Sequence, residues 1–170
     1  MMTEKKQVYY ENATKRILAQ LKTLNLNPNQ YKRATDLVLK FRTAFKNDAV
    51  KKASFIDPKN DIWDLGYHSA GFCRIASISF AIAMDLYDWQ LMAIDEKDWY
   101  GEMGHHWLQH IPSGKIFDIT YDQFTVDGFK LPYHLGHKAN YNLSLQDPTH
   151  KFAKSVGLDI LKLLMENKSK

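Results

Sequence analysis

The sequence predicts an α+β fold in which helices come first and a small antiparallel sheet follows. Two stretches near the start, 7–24 and 30–46, repeat apolar residues at helical spacing, and a third such stretch opens at the only cysteine, Cys73. Beyond it, short runs flank a Pro-Ser-Gly turn in the manner of paired strands. That order packs a buried helix on a sheet in two layers.

The first helix carries Val8, Ala13, Ile17, Leu21 and Leu24 on one face. Asn25-Leu-Asn-Pro-Asn breaks it, and Asn29 is the expected cap of the second helix. That helix presents Tyr31, Ala34, Leu37, Val38, Phe41 and Phe45, with Lys and Arg between them. Residues 54–70, with Asp57-Pro58, Asn60, Gly66 and Ser69, read as an extended loop running into Gly71-Phe72-Cys73. From Cys73 to Leu86 a stripe of Ile75, Ile78, Ile82 and Leu86 beside small Ala76, Ser79 and Ala83 predicts a buried helix. Gln90–Ile94 is expected as a strand, and His105–His110 with Lys115–Thr120 as a hairpin. A third strand or loop is expected near Phe124–Leu131, then a loop over 133–150. A last helix over 149–166 is marked by Phe152, Val156, Ile160, Leu161 and Leu164.

The length of 170 residues suits one domain, large enough to form a core without metal or disulfide staples. The expected division is a helical N-terminal part (7–46), a catalytic core (54–131) and a C-terminal loop and helix (133–166). A net charge of +4, spread over 5–52 and the C-terminal tail without a dense arginine patch, argues against nucleic acid as partner. One cysteine allows no internal disulfide, which favours a reducing compartment. The start is polar and lacks a signal peptide's apolar core. The longest apolar run, Ile75–Met84, is interrupted by Ser77 and Ser79 and is too short for a membrane span. A cytoplasmic protein that binds no membrane is the expectation, although signal-independent export would leave no mark here.

Three groups, a thiol, an imidazole and a carboxylate, carry the candidate chemistry. The N-terminus of a helix favours an anion and lowers thiol pKa, and Cys73 occupies such a position after Gly71. Its free N–H groups could also hold an oxyanion, and a glycine there permits close approach of a substrate. A nearby imidazole could take the thiol proton, with an aspartate behind it to fix the tautomer. His105, His106 and Asp118 in "GHHWLQHIPSGKIFDIT" supply those groups. Taken singly, each has a blander reading: a buried small hydrophobe, ordinary strand histidines, a solvent-facing acid.

Gly71-Phe-Cys-Arg-Ile-Ala-Ser, His105-His-Trp-Leu and Asp118-Ile-Thr-Tyr-Asp-Gln-Phe together resemble the transglutaminase-like branch of the papain-like cysteine enzymes. The spacing of the last two motifs is similar to that of a group of small bacterial proteins of that fold. The resemblance spans about residues 66–125. It implies a nucleophile, Cys73, on a buried helix, with His105 as general base and acid and Asp118 as orienting group on adjacent strands. Gly71, Phe72, Arg74, His106, Trp107 and Gln123 are the candidates for substrate or oxyanion contacts. Arg74 departs from the Trp that many members place after the cysteine. The implied function is a cysteine hydrolase or acyltransferase acting on an amide of a protein or peptide through a thioester, without a cofactor. The branch holds peptidases, amidases, deamidases, acyl-transfer enzymes and members without catalysis.

A non-catalytic protein-binding module on the same fold, with Cys73 structural, is the main alternative. A histidine-rich metal site drawing on His105, His106, His110, His134, His137 and Asp118 is another. On a strand, however, His106 and His110 share a face far apart, so no metal is expected. Between the two adjacent histidines, turn length decides. A four-residue loop, Ile111–Gly114, pairs His110 with Lys115, sets Trp107 opposite Asp118 and His105 opposite Thr120, and puts His105 on the face of Asp118.

Overall fold

The structure, a computed structural model, describes residues 2–54, 67–98 and 104–169. Among them are α-helices α1 (Glu4–Leu21), α2 (Pro28–Phe45), α3 (Asp48–Ser54), α4 (Cys73–Met84), α5 (Asp122–Thr125), α6 (Pro148–Ser155) and α7 (Ile160–Lys168). Strands β1 (Trp89–Ile94), β2 (His105–His110), β3 (Lys115–Phe117) and β4 (His137–Lys138) form one antiparallel sheet ordered β3-β2-β1-β4. The architecture is mixed α+β.

Local chemistry explains the helix boundaries. The second helix is capped two residues earlier than expected: the side chain of Asn27, not Asn29, accepts from Gln30 N–H, and Gln30 answers on the Asn27 N–H. This reciprocal capping box, with Pro28 at the first helical position, satisfies two end donors and stabilises by about 1 kcal/mol. In α1 the buried face is Tyr10, Ala13, Ile17 and Leu21, whereas Val8 points to solvent. α4 is buried nearly all round and packs on β2 and β1. It ends at Met84, because Asp85 turns extended and caps a 3-10 turn over Leu86–Asp88. The expected last helix is two. Gly157, at φ 77°, closes α6 with its own N–H on Lys154 O and that of Leu158 on Ala153 O, and Asp159 then caps α7.

Most of the loop expected over 54–70 lies outside the described residues, and Ser54 belongs to α3. Phe124–Leu131 forms no strand. Asp122–Thr125 is the single helical turn α5, while Phe124 and Leu131 are buried in a small cluster with Ile94 and Trp107. The stretch 133–150 adds the short strand β4, pairing His137 with Ala93 and Lys138 with Met92, and contains the start of α6 at Pro148.

The main core lies between α4 and the helices around it, where Phe45 stacks on Phe72 and Phe152, and those two meet tilted, at centroid distances of 4.5–5.9 Å. A buried ion pair ties the N-terminal helices to α5. Arg42 Nη1 and Nη2 donate to the two carboxylate oxygens of Asp122 at 2.7 and 2.9 Å, and Tyr67 OH adds a third donor at 2.6 Å. The Arg42 guanidinium also lies 3.8 Å above the Tyr10 ring, which adds cation–π attraction. At the sheet's margins, α1 covers the outer edge of β3: Gln20 Nε2 donates to Ile116 O at 2.6 Å and Lys115 Nζ to Thr23 O at 2.7 Å.

Candidate active site

The hairpin has the expected register, with His110 opposite Lys115, Gln109 opposite Ile116 and Leu108 opposite Phe117. The ladder then stops. Asp118 accepts the Thr120 N–H on Oδ1 at 3.0 Å, and this local turn takes the chain out of the strand, so the extrapolated pairs Trp107/Asp118 and His105/Thr120 do not form. The parity argument survives the early stop. His105, not His106, meets the aspartate, with Nε2 2.7 Å from Asp118 Oδ2.

Asp118 is buried and four hydrogen bonds converge on it. Oδ1 accepts from Thr120 N and, at 3.3 Å, from Thr120 Oγ1. Oδ2 accepts from His105 Nε2 and from Tyr133 OH at 2.9 Å. Four donors from three residues fix the orientation of this carboxylate. The His105 ring is fully buried, with its centroid 5.9 Å from Trp107 in a stacked arrangement and 5.1 Å edge-on to Phe124. Its Nδ1 makes no well-formed hydrogen bond, and with Nε2 taken by Asp118 it is the nitrogen left for the Cys73 thiol.

Cys73 is the first residue of α4 and 7% exposed. The first intrahelical donor is Ala76 N–H on Phe72 O, so the amides of Cys73, Arg74 and Ile75 precede the ladder. Gly71 enters the turn at φ 80°, in the left-handed region where any other residue would be strained. Burial pushes the thiol pKa up, but polar contact with His105 and His106 outweighs it and draws the value down from 9.0 to about 6. Burial likewise opposes charge on His105, yet the Asp118 carboxylate and the thiol raise the ring from 6.5 to about 10. At neutral pH this set is therefore a thiolate beside an imidazolium. A thiolate can attack an electrophilic carbon, and the adjacent N–H of the ring can supply a proton to a departing group.

The other candidates are placed variously. His106 joins the thiol from the neighbouring strand position. Phe72 turns its ring into the aromatic core, and its N–H donates to Ser69 O at 3.2 Å. Arg74 is held by Asp147, the N-cap of α6, at 3.1–3.2 Å and by Asn142 O at 3.3 Å, so it fastens the start of α4 to the C-terminal part. Trp107 is buried under Gly136, where an added Cβ would lie 2.3 Å from the indole. Gln123 sits on α5 with its Oε1 buried and unpaired. His110 bonds Ser113 Oγ at 2.8 Å, while His134 and His137 are exposed. Among the described residues no three His, Cys, Asp or Glu side chains gather as a metal site requires. Nor is any helix among them long and apolar enough to cross a membrane.

Two residues of the site were missed by sequence reasoning. Thr120 was legible in retrospect, since Asp-x-Thr after a strand is a turn-forming pattern. Tyr133 carried no such signal, because it reaches Asp118 from a segment rich in His, Asn, Gly and Pro. Comparison of the chain with family models, curated proteins and solved structures produced no match.

Proposed function

We propose that the chain is a cysteine hydrolase or acyltransferase of the transglutaminase-like branch, acting on an amide of a protein or peptide. The observation that carries this reading is the chain of contacts Cys73–His105–Asp118, with Nε2 2.7 Å from Oδ2 and the thiol at the start of a buried helix. Attack by the Cys73 thiolate on the amide carbon forms a C–S bond and places negative charge on the oxygen. Amides at the start of α4 are the donors suited to that charge. Collapse breaks the C–N bond as the His105 proton passes to the departing amine, leaving a thioester and a neutral ring. Water or a second amine then attacks the thioester, gives its proton to His105 and restores the thiolate.

The test is covalent labelling. Wild-type protein should be labelled at Cys73 by an iodoacetamide probe or a peptidyl electrophile near neutral pH, and Cys73→Ala should lose labelling while keeping its circular dichroism. Alanine is a good helix former and leaves only a small void. A native thiol that labels only in denaturant would refute the reading and return Cys73 to a packing role.

A further inference from the structure

We infer that Tyr133 is a positioning residue that sets the strength of the His105–Asp118 hydrogen bond by sharing its acceptor oxygen. This rests on the reading of Cys73, His105 and Asp118 as a catalytic set, and names a control on that set from outside the segment that resembles the family.

Asp118 Oδ2 takes two donors, Nε2 of His105 at 2.7 Å and the Tyr133 hydroxyl at 2.9 Å. Two donors on one oxygen compete for its electron density, so the phenol weakens the pull of the carboxylate on the imidazole proton. The phenol stays a donor at all working pH, because burial, and then the neighbouring Asp118 charge, raise its pKa. Its position is also fixed from behind. The Tyr133 ring stands edge-on to Trp107 at 5.1 Å, and the backbone of Gly136, one 3-10 turn later, lies so close to that indole that no side chain fits. The segment is thus keyed to the same Trp107 that stacks on His105. Tyr133 and Asp118 further line one cleft of about 320 Å³ with Arg16, Gln20, Ile116 and Tyr121.

The charged and titratable groups acting on the pair come from several elements. Cys73 of α4 and Asp118 act on His105, and His106 of β2 joins them at the thiol. Asp118, Tyr121 and Asp122 act on Tyr133, and Arg16 of α1 on Tyr121. None of them replaces the phenol as donor on Oδ2 among the bonds described.

The experiment is proton and nitrogen NMR of histidine-labelled full-length protein, in wild type, Tyr133→Phe and Tyr121→Phe. In wild type, His105 should be an imidazolium with a strongly downfield Nε2 proton bonded to Asp118. Removing the Tyr133 hydroxyl should move that proton further downfield and raise the titration midpoint of the ring by about half to one pH unit, the share of one charged hydrogen bond. Tyr121→Phe, which deletes a phenol from the same cleft but not from Oδ2, should move neither. A merely structural role for Tyr133 would loosen the site and shift the proton upfield or broaden it away, and that result, or no change, overturns the inference. Should the fold of Tyr133→Phe be lost, site-specific 3-fluorotyrosine at position 133 gives the second measurement: its more acidic phenol is a stronger donor on Oδ2 and should move the proton upfield and lower the midpoint, and no change there overturns the inference. Absence of an imidazolium signal in wild type would instead sink the ion-pair reading itself, and the inference with it.

Discussion

The thiolate of Cys73 can be tested by removing what stabilises it. Replacing both rings, His105→Gln with His106→Gln, deletes the two contacts that draw the thiol down to about 6 and leaves burial, which pushes it above the ordinary 9.0. At pH 6 the wild-type thiol is about half ionised, an ordinary thiol about 0.1%, so the variant loses at least about 500-fold in thiolate. A thiolate of lower pKa is also a weaker nucleophile; over three pKa units that discount is about 15–30-fold, leaving a net rate loss of about 15–30-fold. At pH 7 the same arithmetic leaves only about 3–6-fold, so the difference must be sought on the acid side. The assay is the pH profile of exchange with an aromatic disulfide, paired with the ultraviolet absorbance of the thiolate, which needs no access for a reagent. His105→Gln alone should raise the midpoint more than His106→Gln alone, because His105 leads the lowering contacts. A wild-type midpoint at or above 9, or equal rates at pH 6 in wild type and double variant, would refute the reasoning.

Stability should show a plateau set by the same pair. The lowered thiol contributes fully above 9.0 and loses its contribution as pH falls through about 6. The raised ring contributes fully below 6.5 and loses its contribution as pH rises through about 10. Between 6.5 and 9.0 folded and unfolded chains hold equal numbers of protons at this pair, so its urea midpoint should be flat there and fall on either side. His68 and His110, kept neutral by burial, add to the fall below 6.5; a steady slope through the centre would contradict the pairing. Separately, Asp122→Asn should cost about 3–5 kcal/mol in urea unfolding, because it leaves the buried Arg42 charge without its partner. A loss below 1 kcal/mol would show that water or the Tyr10 ring can carry that charge.

Periodicity located α1 and α2, since each buries one apolar face, and α4 showed as an apolar stripe flanked by small residues because it is buried nearly all round. The meeting of His105 with Asp118 was legible because hairpin parity depends only on loop length. Arg42 stands among the Lys and Arg that separate the apolar positions of the second helix, yet it is 2% exposed. Its partner Asp122 is 80 residues away, and no local pattern encodes a contact of that range. Tyr133 is only 15 residues from Asp118, but it stands in a segment rich in His, Asn, Gly and Pro, whose composition carries no periodicity to say where a side chain points. The division of the last helix was signalled by Gly157, but continuous apolar spacing on both sides concealed the left-handed turn between α6 and α7.

The margins of the sheet bear on how the chain behaves when crowded. An open strand edge is a template on which another chain can build, and growth from such edges produces insoluble fibres. On one side, the carbonyl of Ile116 is already occupied by Gln20 of α1, and the Lys115 ammonium is drawn onto Thr23 O just past the helix end. On the other, β4 is two residues long, and its His137 and Lys138 both face solvent, where a positive charge repels a like neighbour. Among the described residues neither margin offers a long free ladder, and strand addition at β3 would first have to peel α1 away. The helix that opens the chain thereby guards the sheet against self-association as well as contributing to the core.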